Sequence, residues 1–466
     1  MTSPATIRRV LVANRGEIAV RIVRACRDEG LESIVAVSEA DQDSLAARLA
    51  TDVVHIGPAS PAQSYLRVEQ VVAAALLTSC DAVHPGYGFL AERHELAEAC
   101  VAHGLIFVGP TADTIRRGGD KVEARRLARA AGVPIGAGSD AVSGADAALA
   151  AADVVGYPIL LKAAAGGGGR GMIRVNSASD LAAVLGTAAR EAEAAFGDGR
   201  MYVERYVENA RHVEVQLLGD DYGGIVHLGD RDCSTQRRFQ KLLEEAPAAV
   251  LTSDLRQRIA DAAVALGHHL RYRGAGTVEF LVDLDRNEFS FLEINTRVQV
   301  EHPVTEVVTG VDIVREQLRL AAGRPLSLVQ DDVSISGHAI ECRINAESVS
   351  DGFLPSPGTI TGWDPPTGGN IRVDSHGFVG YEIPPYYDSL IAKLIVTGAD
   401  RAEAIEASLK ALDSFEIEGV QTTRELHRAV LSHDDFRNDL ISTRWLETTL
   451  LPTVSSSLTA KDATHG

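Results

Sequence analysis

The chain of 466 residues carries a net charge of −19, and 45% of its residues are hydrophobic and 23% charged. This composition is typical of a soluble globular protein, and the length predicts two to three domains at about 150 residues each. The acidic balance argues against a nucleic-acid-binding protein, which would need a basic face, so an anionic ligand has to be bound by individual Lys and Arg side chains.

The N-terminal part of the chain alternates strand-like and helix-like segments. A buried strand is predicted at residues 7–13, a helix follows the turn at 14–16, and the alternation continues to residue 108. This order predicts a doubly wound parallel α/β sheet, and the lack of a GxGxxG motif after the first strand argues against a dinucleotide-binding fold. Arg21 and Arg24 lie on the helix face opposite the apolar residues, which favours solvated charges over a subunit contact.

The segment His84-Pro-Gly-Tyr-Gly-Phe-Leu90 lies where a predicted strand ends and a helix begins. Loops at the carboxyl ends of parallel strands face the ligand crevice. His84 and Tyr87 are therefore candidates for substrate contact, and a purely structural role is an equal alternative.

A glycine-rich loop marks the next part of the chain. Lys162 ends a predicted strand at 157–162, the loop Gly166-Gly-Gly-Gly-Arg-Gly171 follows, and a second strand is predicted at 172–175. Without Cβ atoms such a loop can close over a phosphate and present backbone N–H groups to it. A flexible linker is the alternative, but a linker joins domains rather than two strands. No GK[ST] sequence follows, so the pattern predicts a phosphate lid that is not a Walker loop.

A hairpin further along the chain is the densest group of polar residues. The strand Thr277–Asp283 and a strand that begins at Phe291 are predicted to pair antiparallel. Glu279 then stands opposite Glu293, which is destabilising by roughly 0.2–1 kcal/mol at a wet surface unless a cation lies between them. Asn295 adds a third oxygen on the same face, and Mg²⁺ or Mn²⁺ prefers such oxygen ligands. We predict a divalent-metal site next to a nucleotide; two solvated glutamates are the alternative.

The C-terminal part begins after a Pro- and Asp-containing stretch at 323–336, which predicts a domain boundary. Beyond it the pattern predicts antiparallel strands with helices. The last residues are rich in Ser, Ala and Thr and are predicted to be disordered. We therefore predict four segments, at residues 1–118, 119–322 with a lid subdomain at about 134–206, 336–450, and a disordered tail at 451–466.

Several segments together resemble the signatures of biotin carboxylases, in the order typical of that family and over residues 7 to about 445. They are Ala13–Ala19, His84–Leu90, Lys162 with the glycine loop, Arg231–Arg238, Glu293–Pro303 and Pro384–Ser389. The resemblance implies an ATP-grasp fold of mixed α/β and α+β class. It would have an N-terminal Rossmann-like parallel α/β domain, a mobile glycine-loop lid subdomain and a C-terminal, mostly antiparallel α+β domain.

The same resemblance implies a reaction. The enzyme would carboxylate biotin on a separate carrier protein with bicarbonate and MgATP, as the first half-reaction of an acetyl-CoA or acyl-CoA carboxylase. Bicarbonate is a poor nucleophile, so a carboxylate that removes its proton beside fixed cations lets it attack the γ-phosphate and form carboxyphosphate. Decomposition to CO₂ leaves phosphate to take the proton from biotin.

Roles for individual residues follow from their matching positions. The nucleotide would be held by Lys121, Lys162, Gly168, Gly169, Glu204, Arg205, Tyr206, Val207, His212 and Gln236. The metal ion, Mg²⁺ or Mn²⁺, would be bound by Glu279, Glu293 and Asn295, and through it the two glutamates would contact the nucleotide. The substrates would be bound by Lys241, Arg297, Gln299, the backbone of Val300, Arg343 and Tyr87. The catalytic set would be Lys241, Arg297, Glu301 as the base, and Arg343, which would face biotin and stabilise its enolate.

Two positions depart from the family pattern. Phe239 stands where the family usually has His near the phosphates, which removes a polar contact. Arg205 stands where a Lys beside the adenine is common, which keeps the charge but changes its geometry.

The partners follow from what the sequence lacks. Biotin acceptor domains resemble one another in a Met-Lys pair, and none of Met1, Met172 and Met201 is followed by lysine. We therefore expect the biotin carboxyl carrier protein and the carboxyltransferase subunits to be other polypeptides. The resemblance also implies a homodimer, formed through the C-terminal domain and the face with Arg21 and Arg24.

The five cysteines lack CxxC spacing, which predicts reduced thiols and no structural zinc. No apolar run approaches the ~20 residues of a membrane span, and the N-terminus lacks the apolar core of a signal peptide. We therefore expect a cytoplasmic protein with no membrane or nucleic-acid partner.

Two other functions fit part of the pattern. A different ATP-grasp ligase, which activates another carboxylate, would need Glu279, Glu293 and the lid but would leave Glu301 without a purpose. A non-catalytic ATP-binding subunit of a carboxylase complex is favoured only by Phe239.

Overall fold

The computed structural model describes residues 6–142, 144–165 and 171–453. The predicted glycine loop with Gly168 and Gly169, and the predicted tail beyond residue 453, lie outside these described residues. Within them, no helix combines the length and the apolar character that a membrane span requires.

A parallel sheet with helices on both faces forms the N-terminal unit, as predicted. Its strands are β1 (Arg9–Val12), β2 (Glu32–Val37), β3 (Asp52–His55), β4 (Ala82–His84) and β5 (Ile106–Phe107), in the order β3-β2-β1-β4-β5. Its helices are α1 (Gly16–Asp28), α2 (Leu45–Leu49), α3 (Val68–Leu77), α4 (His94–Ala102) and α5 (Ala112–Gly119), with 3₁₀ turns at Glu39–Asp41 and Pro61–Gln63. Val10 and Leu11 in β1 belong to separate cores on the two faces of the sheet, which explains why this strand is a continuous apolar run.

A small antiparallel sheet follows, in what we call the three-stranded unit (residues 144–165 and 171–205). Helix α6 (Lys121–Ala130) leads into it, and it contains α7 (Ala145–Val155), β6 (Ile159–Ala163), β7 (Met172–Val175), α8 (Ala178–Phe196) and β8 (Met201–Arg205). Strand β6 lies between β7 and β8. Lys162 pairs with Tyr202 and Leu160 with Glu204, so Lys162 and Glu204 are diagonal neighbours on one face.

An eight-stranded antiparallel sheet forms the centre of the molecule, in the order β13-β12-β9-β10-β11-β14-β21-β19. Its strands are β9 (Ala210–Gly219), β10 (Ile225–Arg237), β11 (Gln240–Ala246), β12 (Gly274–Asp283), β13 (Glu288–Asn295), β14 (His338–Asn345), β19 (Ile371–Ser375) and β21 (Leu390–Gly398). Helices α9 (Ser253–Leu270), α10 (His302–Thr309) and α11 (Ile313–Ala321) connect them. The predicted hairpin is β12 and β13, and its register places Glu279 opposite Glu293 as predicted. The sheet passes from β11 to β14, where Leu243 pairs with Cys342, so it continues across the predicted boundary at 323–336.

Short elements complete the C-terminal part. They are a 3₁₀ turn at Gln330–Asp332, the strands β15 (Glu347–Ser348), β16 (Leu354–Pro355), β17 (Gly358–Thr359), β18 (Gly362–Asp364), β20 (Glu382–Ile383) and β22 (Glu416–Glu418), the helices α12 (Arg401–Ser414), α13 (Arg424–Ser432) and α14 (Asp434–Arg437), and a π-helical turn at Leu446–Leu450. Helix α12 packs on the outer strands of the large sheet, and an apolar core that includes Leu394, Leu412 and Trp445 lies beneath.

The prediction that Arg21 is a solvated charge is wrong. Its side chain is buried, and its guanidinium contacts Glu306 over 3.0 Å and also Asp312. The helix face opposite the apolar residues of α1 is therefore covered by α10 and α11 of the same chain. Arg24 is half-buried, so of the two arginines proposed for a dimer face only Arg24 is partly accessible.

One buried lysine connects the three parts of the chain. Lys393 of β21 is fully buried; its Nζ donates to the Val300 carbonyl over 2.8 Å and lies 3.1 Å from the Glu17 carboxylate of α1. The Tyr87 hydroxyl donates to the other oxygen of Glu17. An ion pair thus joins the N-terminal and C-terminal parts directly behind the loop that carries Val300.

We expect replacement of Lys393 by Met to lower the free energy of unfolding by about 3–5 kcal/mol, because the Glu17 carboxylate then stays buried without its cation. Urea denaturation followed by circular dichroism measures this loss. Lys410→Met, which changes an exposed lysine of α12, is the matched control. The double variant Lys393→Met/Glu17→Gln should recover part of the stability, and a double variant as unstable as the single one would contradict the ion-pair explanation.

Candidate active site

A cavity of about 810 Å³ opens between the N-terminal sheet, the three-stranded unit and the large sheet. Most of the predicted site residues line it: Tyr87, Lys121, Lys162, His212, Gln236, Lys241, Glu279, Glu293, Asn295, Arg297, Gln299, Val300, Glu301 and Arg343. Phe239 lines it too and is half exposed. Residues from distant parts of the chain thus meet at one site.

The three predicted metal ligands lie together on the β12–β13 hairpin. Asn295 Nδ2 donates to Glu279 Oε1 over 2.8 Å, and Lys121 Nζ lies 3.1 Å from Glu293 Oε2. Two carboxylates and an amide at one cavity wall are a donor set that Mg²⁺ or Mn²⁺ prefers. The residues therefore fit a divalent ion, provided that the Asn295 amide rotates by half a turn to present its oxygen.

Lys241 lies at the centre of three buried carboxylates. Its Nζ donates to Glu214 over 2.6 Å, to Glu279 over 2.9 Å and to Glu301 over 2.7 Å. Burial alone would lower the pKa of Lys241, but the surrounding acidic groups outweigh burial and raise this pKa well above its ordinary value. Lys241 is therefore a permanent cation at the base of the cavity.

Two further basic side chains contact the same carboxylates. Arg231 is fully buried and contacts Glu214, and His212 Nε2 lies 2.7 Å from Glu279 Oε2. Burial would lower the pKa of His212, but the neighbouring Glu279 raises it above its ordinary value. The site thus holds acidic and basic groups in near balance before any ligand binds.

Glu301, the predicted base, precedes helix α10 and is almost fully buried. One of its oxygens accepts from Lys241, and the other accepts from Arg343 Nη2 over 2.9 Å. Burial would raise the pKa of Glu301, but Lys241, Arg343 and Arg231 outweigh burial and hold this pKa well below its usual range. An anion that binds Lys241 would weaken the contact of Lys241 with Glu301 and raise the pKa of Glu301, which makes it a stronger base.

Arg297 connects the predicted anion site to the metal face. Its Nε donates to Glu92 over 3.0 Å, its Nη1 to Gln299 over 2.7 Å and its Nη2 to Asn295 over 3.2 Å. Gln299 Nε2 in turn donates to Glu279 over 3.1 Å. These bonds fix the distance between a group bound at Arg297 and a group bound at the hairpin.

The remaining predicted nucleotide residues lie at the edge of the site, outside the cavity wall. Glu204 pairs with Lys162, Arg205 lies 3.5 Å from Asp283, and the ring of Tyr206 lies 4.3 Å beneath Arg174. Val207 follows them and is half-buried. Their position at the end of β8 suits contact with the far end of an elongated ligand.

The two candidates in the segment 84–90 have different surroundings. His84 is fully buried, accepts from the Gly86 amide over 3.1 Å and does not line the cavity, so its role is structural. Tyr87 lines the cavity, but its hydroxyl is engaged by Glu17.

Sequence reasoning missed several residues of this site. Glu214 is two residues after His212 and therefore on the same face of β9. Arg125 is four residues after Lys121 and therefore on the same side of α6. Glu92 carried no periodic signal, because it lies in a loop whose position depends on the whole fold.

This architecture, a three-stranded unit beside a larger antiparallel sheet with acidic residues between them, defines an ATP-grasp enzyme. Three family models match the chain: "Biotin carboxylase, N-terminal domain" at residues 6–115, "Carbamoyl-phosphate synthase L chain, ATP binding domain" at 120–329 and "Biotin carboxylase C-terminal domain" at 341–448. The chain belongs to the biotin carboxylase family.

Individual relatives agree with this assignment. The chain is 49% identical to "Biotin carboxylase 1" of Bacillus subtilis, over 95% of this chain and 98% of the relative. A biotin carboxylase complex with β-γ-ATP from Campylobacter jejuni has a TM-score of 0.93 and 45% identity, over 95% of this chain and 99% of that one. The biotin carboxylase domain dimer of Hydrogenobacter thermophilus 2-oxoglutarate carboxylase, with MgADP, ADP and bicarbonate, has a TM-score of 0.92 and 44% identity, over 96% and 98%.

We expect Glu293→Gln to weaken binding of Mn²⁺ in the presence of ATP by about tenfold or more, since it removes one charged oxygen ligand from a hard cation. Electron paramagnetic resonance of free Mn²⁺ measures the affinity. Glu288→Gln is the matched control, because Glu288 lies on the same strand but is exposed. Equal affinities for the wild type and both variants would contradict the assignment of Glu293 as a ligand.

Proposed function

We propose that this chain is the biotin carboxylase component of a biotin-dependent carboxylase. It uses MgATP and bicarbonate to carboxylate biotin on a carrier protein. The observation that carries the proposal is the contact of Glu301 with both Lys241 and Arg343 at one end of the cavity. Lys121 and Lys162 lie at the other end, and the acidic hairpin lies between, with Glu279 in contact with Lys241 and Glu293 in contact with Lys121. A ligase for a different carboxylate would not need a buried base between two cations.

Bicarbonate fits the end of the cavity with Lys241 and Arg297. Both side chains are cations, and Gln299 supplies an amide beside them. An anion bound there lies next to Glu301, whose carboxylate takes its proton and turns it into a better nucleophile. The network from Arg297 through Gln299 to Glu279 keeps this anion at a fixed distance from the hairpin.

ATP fits the opposite end, where Lys121 and Lys162 supply charge for its phosphates. A divalent ion at Glu279, Glu293 and Asn295 would neutralise charge on the phosphates when bound. Attack of bicarbonate on the γ-phosphorus forms the new P–O bond and breaks the bond to ADP, which gives carboxyphosphate and ADP. Fixed cations and hydrogen-bond donors stabilise the charge that develops, and one such donor is typically worth about 3–4 kcal/mol of barrier.

Biotin fits against Arg343. Carboxyphosphate decomposes to CO₂ and phosphate, the phosphate takes the proton from the ureido nitrogen, and the nitrogen attacks CO₂. Arg343 donates to the enolate oxygen that forms. Glu244 and Glu301, which both contact Arg343, keep its guanidinium in place.

The partners and location follow from the family. A biotin carboxyl carrier protein and carboxyltransferase subunits complete the reaction, with acetyl-CoA or another acyl-CoA as the acceptor, in the cytoplasm. The five free cysteines, all buried and unpaired, support a reducing compartment. The chain acts as a homodimer, a proposal supported by the dimeric domain of the Hydrogenobacter thermophilus relative.

The proposal predicts that phosphate release from MgATP depends on bicarbonate and increases when free biotin is added. A coupled phosphate assay with bicarbonate-depleted buffer measures both effects. Release that is indifferent to both additions would reject this function and favour another ATP-grasp ligase. Addition of candidate carrier and transferase subunits with different acyl-CoA acceptors then identifies the second half-reaction.

We expect Glu301→Gln to reduce bicarbonate-dependent ATP cleavage by at least about 10²-fold, because the base is removed, while the affinity for MgATP changes little. Steady-state kinetics and calorimetric titration of MgATP measure the two effects. Glu382→Gln, which changes an exposed glutamate of β20, is the control. An equal loss of MgATP binding would show that Glu301 is structural.

A further inference from the structure

Arg125 is a buried cation beside the nucleotide end of the site, and the reaction described above gives it no role. It lies on α6, one helical turn after Lys121, and is buried. Its Nη1 contacts Glu204 Oε1, its Nη2 donates to the Gly136 carbonyl over 3.2 Å, and its guanidinium lies 5.5 Å from the Tyr202 ring centre. Both terminal nitrogens of the Arg125 guanidinium therefore have hydrogen-bond partners.

The carboxylate that Arg125 contacts is in a fixed position. The chain after α6 runs along β8, where the Arg205 amide donates to the Ala137 carbonyl and the Ser139 amide donates to the Val203 carbonyl, each over 2.8 Å. Gly138 lies between these bonds, and a Cβ there would come within 2.5 Å of the Val203 carbonyl oxygen. This close approach, which needs glycine, ties β8 and its Glu204 to the segment that follows α6.

Glu204 is shared between two cations. Its Oε1 contacts Arg125, and its Oε2 contacts Lys162 Nζ. The side chains are buried, with exposures of 7% for Arg125, 6% for Lys162 and 12% for Glu204. Water therefore screens these charges poorly, and the carboxylate needs at least one cationic partner.

This arrangement bears directly on how Lys162 binds a phosphate. Lys162 lines the cavity, so a phosphate bound there competes with Glu204 for its ammonium group. If Lys162 were the only partner of Glu204, loss of this contact to a phosphate would leave a buried carboxylate without a cation, which is strongly unfavourable. Because Arg125 contacts the other oxygen, Glu204 keeps a charged partner when Lys162 binds a phosphate.

We propose that Arg125 is a positioning residue of the nucleotide site, which keeps Glu204 neutralised so that Lys162 is free to bind a phosphate. The inference rests on the proposed function in one respect, the role of Lys162 as a phosphate ligand. Arg125 itself touches no reacting atom, and its effect is exerted through Glu204.

Arg125→Leu tests the inference through the kinetics of bicarbonate-dependent ATP cleavage. We expect KM for MgATP to rise about tenfold or more, because Glu204 then holds Lys162 as its only cation, while kcat at saturating MgATP changes much less. Arg125→Lys keeps the charge and should restore part of the affinity. Arg126→Leu is the matched control, because Arg126 is the next residue on α6, its side chain is 62% exposed, and Glu123 is its only ion-pair partner among the described residues; its KM should equal that of the wild type.

The double variant Arg125→Leu/Glu204→Gln distinguishes an effect of Arg125 on Lys162 through Glu204 from a general loss of folded structure. Removal of the carboxylate charge frees Lys162, so Arg125→Leu should raise KM for MgATP much less when Glu204 is already Gln than when Glu204 is present. An unchanged KM in Arg125→Leu, or an equal rise in KM with and without Glu204→Gln, would overturn the inference. Calorimetric titration measures the MgATP affinity of the wild type and of each variant without turnover. A wild type that binds MgATP but lacks bicarbonate-dependent cleavage would reject the proposed function. The MgATP affinities of the variants would then still decide the role of Arg125.

Discussion

The packing of three buried carboxylates around one lysine is the constraint on which the site depends. Glu214, Glu279 and Glu301 would repel one another strongly in a buried position, and Lys241 alone cannot balance them. The buried Arg231 and the partly accessible Arg343 supply the missing charge, and His212 adds to it when it is protonated. These basic groups come from β9, β10, β11 and β14, so the charge balance requires the large sheet to be complete.

The same charge balance would couple the binding of the anionic substrate to the binding of the metal ion. Under the proposed function, bicarbonate bound at Lys241 and Arg297 would take part of their charge and so weaken the contacts of Lys241 with Glu301 and with Glu279 of the hairpin. A metal ion at Glu279 and Glu293 would replace the contacts that Lys241 and Lys121 make with these residues. Each ligand would therefore release groups that the other needs, so that binding of one would favour binding of the other.

Much of the fold could be predicted from local pattern. The parallel N-terminal sheet follows from the alternation of strands and helices, and the face of each glutamate follows from the period of two along its strand. The pairing of Glu279 with Glu293 also depends on a β-bulge between Glu279 and Phe280, which the pattern does not reveal. The burial of Arg21 could not be predicted, because its partners Glu306 and Asp312 are 285 and 291 residues away in the sequence. The site residues were named through family motifs, whereas Glu92 and Arg125 act through contacts that only the folded chain provides.

The continuous large sheet has a consequence for how the chain can be divided. Strand β11, which carries Lys241, lies directly beside β14, which carries Arg343. A chain that ended between residues 323 and 336 would leave β11 as a sheet edge with unpaired backbone groups, and such edges are prone to pair with other chains. Any shortened or permuted form of the protein therefore has to keep β11 and β14 together.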